Sequence, residues 1–180
     1  MPSASAPTVA EIYAEHAKFV WRNLRRLGVP ATGIEDAVQD VFLVIHRQLP
    51  EFAGRSSLRT WIFGIVLRVA SRQRERFRNN QQRYTSMPGE VLDVITANEQ
   101  GPLDLLIERQ AADLVYCVLD EMDEEKRTIL VMVELEQMSV VEAAEVLEIK
   151  LNTAYTRLRL ARIALEANLK RALGESGEET

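Results

Sequence analysis

Apolar residues return every three or four positions along most of this chain, and no stretch alternates convincingly between apolar and polar. A period near 3.6 belongs to an amphipathic helix and a period of two to a half-buried strand, so the pattern predicts an all-α fold. The first run extends from Thr8 to Leu27, with Ile12, Phe19, Val20, Leu24 and Leu27 on one side and "GVP" ending it. A second runs from Ile34 to Leu49 and turns Ile34, Val38, Val41, Phe42 and Ile45 inward. After the loop "PEFAGRSS", a third begins near Leu58 with Ser57 as its N-cap. It buries Leu58, Trp61, Ile62, Ile65 and Val69 and continues into "RQRERFRNNQQR".

Between Gln81 and Gly101 the periodicity fades into a segment with Gly, Pro and no long apolar face. The chain therefore divides into two small helical domains, 8–80 and 103–173, joined by a flexible linker, 81–102, and followed by an acidic tail, 174–180. In the second domain one helix is predicted from Leu103 to Leu119 and another to about Leu135. Ser139 with Glu142 fits a capping box, which starts a short helix from Val140 to about Leu147. "EIKL" is long enough only for a tight turn, and Asn152 or Thr153 is placed to cap the helix that follows. Two helices joined by about four residues form a helix-turn-helix, whose second helix enters the major groove of DNA. Ala143 and Ala144 supply the small residues at the crossing, and Ile149, Leu151, Ala154, Leu158, Ala161 and Leu165 the apolar turn and inner face.

Charge sharpens the picture. The chain has a net charge of −5, which taken alone argues against a polyanionic partner. Its distribution argues the other way. Residues 54–83 carry eight basic groups against Glu75 alone, and 149–171 carry six against Glu166 alone, while 84–148 carry sixteen acidic groups and three basic. Two basic islands in an acidic chain predict two contacts with a polyanion.

The residues in those islands have the right chemistry. Asn152, Thr153, Tyr155, Thr156, Arg157, Arg159 and Arg162 fall outside the inner face of the last helix, and amide, hydroxyl and guanidinium groups reach base edges and phosphates. Along the third helix Arg68, Arg72 and Arg76 recur every four residues, with Arg74 and Arg78 on the adjacent strip. Like charges at that spacing weaken an isolated helix by a few tenths of a kcal/mol per pair, a repulsion that a polyanion relieves. Phe52 and Arg55, in the loop beside Trp61, are an aromatic and a cation suited to clamp an unpaired base, while Phe52 fits the core equally well. The second helix displays Glu35, Asp36, Gln39 and Asp40, an acidic face suited to a basic protein rather than to DNA. Each of these faces also has a plain reading as solvated surface.

Other chemistry is poorly represented. His16 and His46 are the only histidines and lack ligand spacing, no glycine-rich phosphate loop occurs, and an enzyme is the weakest reading. No cofactor is expected. Cys117 is the only cysteine, so neither a disulfide framework nor a cysteine-based zinc site is available, and it is expected to be a buried small hydrophobe. No run reaches the roughly 18 apolar residues of a membrane span, and no signal peptide opens the chain, which places it in the cytoplasm.

These motifs resemble those of the extracytoplasmic-function (ECF) sigma factors of bacterial RNA polymerase, in the minimal form with regions two and four. "EDAVQDVFLVIHR" is similar to region 2.2, "SSLRTWIFGIVLRVASRQRER" to regions 2.3 and 2.4, and the segment from Leu119 to Arg162 to region four. The resemblance implies that Asp36, Gln39, Asp40 and Phe42 lie in the helix that docks on the coiled coil of the β′ clamp. It implies that the loop with Phe52 and Arg55, together with Trp61, Arg68, Arg72 and Arg76, engages the −10 element. Asn152, Thr153, Tyr155, Thr156, Arg157 and Arg159 would then read the −35 element. Core RNA polymerase, through its β′ clamp and β flap, promoter DNA and an anti-sigma factor are the partners implied. Arg68 and Arg72 stand where the family often has Asn and Asp, Glu148 and Asn152 where glycine is common, and Leu160 where a second Arg often follows. Two other readings stay open: a stand-alone helix-turn-helix regulator, and an interaction protein with a sigma-like fold.

Overall fold

The structure, a computed structural model, describes residues 7–81 and 102–174. Every regular element among the described residues is helical: α1 Val9–Arg26, α2 Ile34–Gln48, α3 Leu58–Gln81, α4 Pro102–Asp120, α5 Glu124–Leu130, α6 Val140–Val146 and α7 Leu151–Ala172. A π-helical turn, Val131–Leu135, continues α5. Contacts divide the chain into two compact units, built on α1–α3 and on α4–α7. The expected linker and tail lie outside the described residues, apart from Gln81 and Pro102, which are helical, and Gly174.

In the first unit, Thr8 and Glu11 cap α1 reciprocally. The Thr8 amide donates to Glu11 at 2.7 Å and the Glu11 amide to the Thr8 hydroxyl at 3.3 Å. Ile12, Phe19, Val20 and Leu24 of α1 are buried, as are Ile34, Ala37, Val41 and Ile45 of α2 and Ile62, Phe63, Ile65, Val66 and Val69 of α3. Each such Val, Leu, Ile or Phe side chain contributes about 2 kcal/mol by leaving water. Ser57 starts α3 as expected, its hydroxyl accepting from the Thr60 amide at 3.0 Å. Trp61 and Leu58, expected inside, are only half-buried. The far half of α3 is held to the start of α2 by Phe77, whose ring lies where a Cβ on Gly33 would stand, 2.4 Å from Cε2. Only glycine leaves room for that ring.

In the second unit, Asp123 caps α5 by accepting from the Lys126 amide at 3.0 Å. Arg127 closes the end of α4, its Nη2 donating to the carbonyls of Asp120 and Met122 at 2.9 and 3.0 Å. Ile129, Leu130, Val131 and Met132 form the core with Val118, Leu119, Ala143, Ala154, Leu158 and Ala161. Two expectations fail here. Cys117 is exposed, because the buried stripe of α4 passes through its neighbours Val118 and Leu119. Leu151, placed on the inner face by its spacing, is 41% exposed, because the inner face of α7 begins only at Ala154.

Candidate nucleic-acid interface

The helix-turn-helix is built by caps. Ser139 and Glu142 form the expected capping box, the Glu142 amide donating to Ser139 Oγ at 3.2 Å and the Ser139 amide to Glu142 Oε2 at 2.9 Å. The Ser139 amide first, and then the Ser139 hydroxyl, which donates to the same Oε2 at 2.8 Å, hold the Glu142 carboxyl below its ordinary range. At the other end of α6, Glu148 adopts φ +53 and the Ile149 amide reaches back to the Ala144 carbonyl at 3.0 Å, a Schellman-type closure. A left-handed residue turns the chain sharply into α7.

The cap expected at Asn152 or Thr153 is not used. Helix α7 starts earlier, with Lys150 extended at the N-cap, no side-chain cap bond, and the Ala154 amide donating to the Lys150 carbonyl at 3.0 Å. Asn152 and Thr153 therefore sit within the first turn of α7, exposed. Tyr155 is exposed too, and Thr156 donates its hydroxyl to the Asn152 carbonyl at 2.9 Å. A helix N-terminus carrying amide, hydroxyl and phenol groups outward is equipped for groove and phosphate contacts.

The arginines of α7 are less open than the sequence reading expected. Arg157 Nη2 lies 2.9 Å from Glu125 Oε1 on α5, and Arg162 lies 2.7 Å from Glu134 Oε1 in the π-helical turn. Arg171 pairs with Glu121 at 2.8 Å and also bonds the buried Asn168, which donates to the Val118 carbonyl at 3.2 Å. Arg159 is exposed and has no ion pair among the described residues.

In the first unit, Arg68, Arg72 and Arg76 line one exposed strip of α3 and have no ion pair among the described residues. The loop before α3 brings Phe52 against Trp61, with ring centroids 5.0 Å apart and planes at 43°. Both rings are half-buried, and Arg55 beside them is exposed. Gly54 holds φ +65 with nothing within 4 Å of its Cβ position, so conformation rather than space requires glycine in this loop.

On α2, Glu35, Asp36 and Gln39 are exposed and Asp40 is half-buried. Phe42 faces inward at 9% exposure, its ring 4.7 Å from that of Tyr13, so it supports the strip rather than lying on it. Leu43, 45% exposed, extends the strip and escaped the sequence reading, although its spacing of seven from Asp36 marks the same face. No group of metal-ligating side chains occurs among the described residues, and no described helix is long and apolar enough to cross a membrane.

A helix-turn-helix in one helical unit and an arginine-faced helix in another are features of the kind DNA-binding proteins present. Comparison with known proteins specifies the class. Residues 12–82 match the model of sigma-70 region 2 and residues 112–165 that of sigma-70 region 4. The chain is 28% identical over 171 residues to the RNA polymerase sigma factor CnrH of Cupriavidus metallidurans, spanning 93% of this chain and 89% of that one. It is 26% identical over 148 residues to the ECF RNA polymerase sigma-E factor of Escherichia coli, spanning 77% and 74%. The solved structure of CnrH with the cytosolic domain of CnrY superposes with a TM-score of 0.63 at 23% identity, covering 91% of this chain and 88% of that one. The sigma factor RpoE of Bartonella quintana, solved with the anti-sigma factor NepR, gives 0.62 at 23%, covering 88% and 96%. The chain belongs to the sigma-70 family, as a sigma factor of the ECF type. It is a transcription initiation factor that directs RNA polymerase to promoters, with the polymerase and promoter DNA as its partners.

Proposed function

We propose a division of labour between the two units. The acidic strip of α2, with Asp36, Gln39 and Asp40 outward and Phe42 beneath, docks on a basic surface of the polymerase, the β′ clamp. The Phe52–Trp61 pair, with Arg55, Arg68, Arg72 and Arg76, captures and opens the −10 element. The first turn of α7, with Asn152, Thr153, Tyr155, Thr156, Arg157 and Arg159, reads the −35 element in duplex form. Residues 8–80 and 103–173 are the two working domains, 81–102 their linker and 174–180 an acidic tail; the two matched family regions, 12–82 and 112–165, are separated by residues 83–111, which include most of that linker. Phosphodiester chemistry belongs to the polymerase and the protein itself is not an enzyme. It acts in the cytoplasm, where an anti-sigma factor governs its access to polymerase, as the partners of the two related structures suggest.

The observation that carries this reading is the exposure of the α7 first turn at the end of a capped helix-turn-helix, in a chain that also presents a separate arginine strip. The test is co-elution with core RNA polymerase and run-off transcription, repeated with Asp36→Arg and Arg159→Ala. Charge reversal at Asp36 should abolish core binding. Arg159→Ala should leave core binding intact and lower promoter-dependent transcription about tenfold, the value of one base contact. A protein that ignores core yet shifts promoter duplex alone would instead be a stand-alone regulator.

A further inference from the structure

The buried stripe of α3 steps from Ile62 to Val66, Val69 and Gln73, so Gln73 occupies a position that helical periodicity reserves for an apolar side chain. It is 4% exposed. A primary amide is kept in such a place where it finds a partner, since burial without one is unfavourable. The partner is on α2: Gln73 Nε2 donates to Asp40 Oδ2 at 3.1 Å. Asp40 lies one helical turn beyond Asp36, at the half-buried edge of the acidic strip.

We propose that Gln73 is a positioning residue for the polymerase contact, holding the Asp40 carboxylate in one orientation on the docking face of α2. The inference rests on the reading of α2 as the docking helix. A carboxylate has two acceptor oxygens, and one engaged by Gln73 leaves the other for a cation on the partner. A side chain already held in place loses less rotamer freedom on binding than a swinging one, and a hydrogen bond to a charged acceptor directs it more firmly than a neutral one. Gln73 also lies next in sequence to Arg72, so the same bond ties the docking helix to the helix that bears the DNA-facing arginines.

The test titrates full-length protein against core RNA polymerase for wild type, Gln73→Met, Asp40→Ala and the double variant, with thermal melting of each. Methionine keeps the length of glutamine, suits the apolar stripe and cannot donate; Gln73→Leu serves as a second apolar variant if the first folds poorly. We expect Gln73→Met to weaken core binding roughly fivefold, with Tm unchanged or raised, and to add no further loss once Asp40 is alanine. Wild-type affinity in Gln73→Met, or an equal loss with and without Asp40, would overturn the positioning role alone. Failure of the wild type to bind core would overturn the docking reading and this inference with it.

Discussion

Helices α3 and α7 both carry arginines at helical spacing, yet they hold them differently. On α3 the strip of Arg68, Arg72 and Arg76 faces outward without an ion pair among the described residues. On α7, Arg157, Arg162 and Arg171 are each met by a carboxylate of their own unit, from Glu125, Glu134 and Glu121, and Arg159 is left without one among the described residues. An open strip attracts any nearby phosphate at long range, with strong dependence on salt. A clasped arginine must exchange one anion for another, so its net gain on binding is small unless the new partner is well placed. The first surface is therefore suited to gripping a polyanion and the second to choosing one.

The largest effect should follow from removing the open strip. Replacing Arg68, Arg72 and Arg76 together by glutamine should weaken holoenzyme binding to a promoter with an unpaired −10 segment by about 10- to 100-fold. The slope of log affinity against log salt should fall by about 2, as for three lost contacts to single-stranded phosphate. Core binding should be unchanged, because the α2 strip is untouched. An unaltered salt slope, measured by titration at four or five salt concentrations, would mean that this strip does not meet DNA.

A smaller effect, of opposite sign, should come from α5 and the π-helical turn. Exposed ion pairs are worth only about 0.2–1 kcal/mol each. Glu125→Gln with Glu134→Gln should therefore raise the affinity for duplex −35 DNA by about three- to tenfold and steepen its salt dependence. Fluorescence anisotropy on a labelled duplex reads both. Weaker binding in the double variant would show that the glutamates aim Arg157 and Arg162 at DNA instead of competing with it.

The elements that local rules dictate were legible in the sequence. The runs of Ile, Leu and Val marked the helical faces, Ser57 and Ser139 marked two helix starts, and the clustered arginines marked both candidate DNA surfaces. What the sequence concealed depends on neighbours distant along the chain. Nothing local shows that Glu125 and Glu134 meet Arg157 and Arg162, because those pairs exist only once α5 packs on α7. Gln73 did leave a local trace, a polar residue on an apolar stripe, but its partner Asp40 lies 33 residues away. The first turn of α7 departs from local propensity: Asn152 and Thr153 are strong cap residues, but the closure at Glu148 delivers the chain to Lys150 already poised to begin the helix.

That closure gives the smallest effect and separates backbone strain from charge beside the recognition helix. Glu148 holds φ +53, a conformation that a side chain disfavours by about 1–2 kcal/mol, offset in part by the greater unfolded-state freedom of glycine. Glu148→Gly should thus stabilise the protein by about 0.5–1 kcal/mol in denaturant unfolding, with no loss of the helix-turn-helix. Glu148→Gln removes the same charge and keeps the strain, so it should leave stability within about 0.5 kcal/mol of wild type. If charge near α7 governs its DNA affinity, both variants should bind duplex slightly and equally better. A gain confined to Glu148→Gly would instead assign the limit to the stiffness of the turn, and the contrast between an open α3 and a clasped α7 would then be one of backbone as well as of charge.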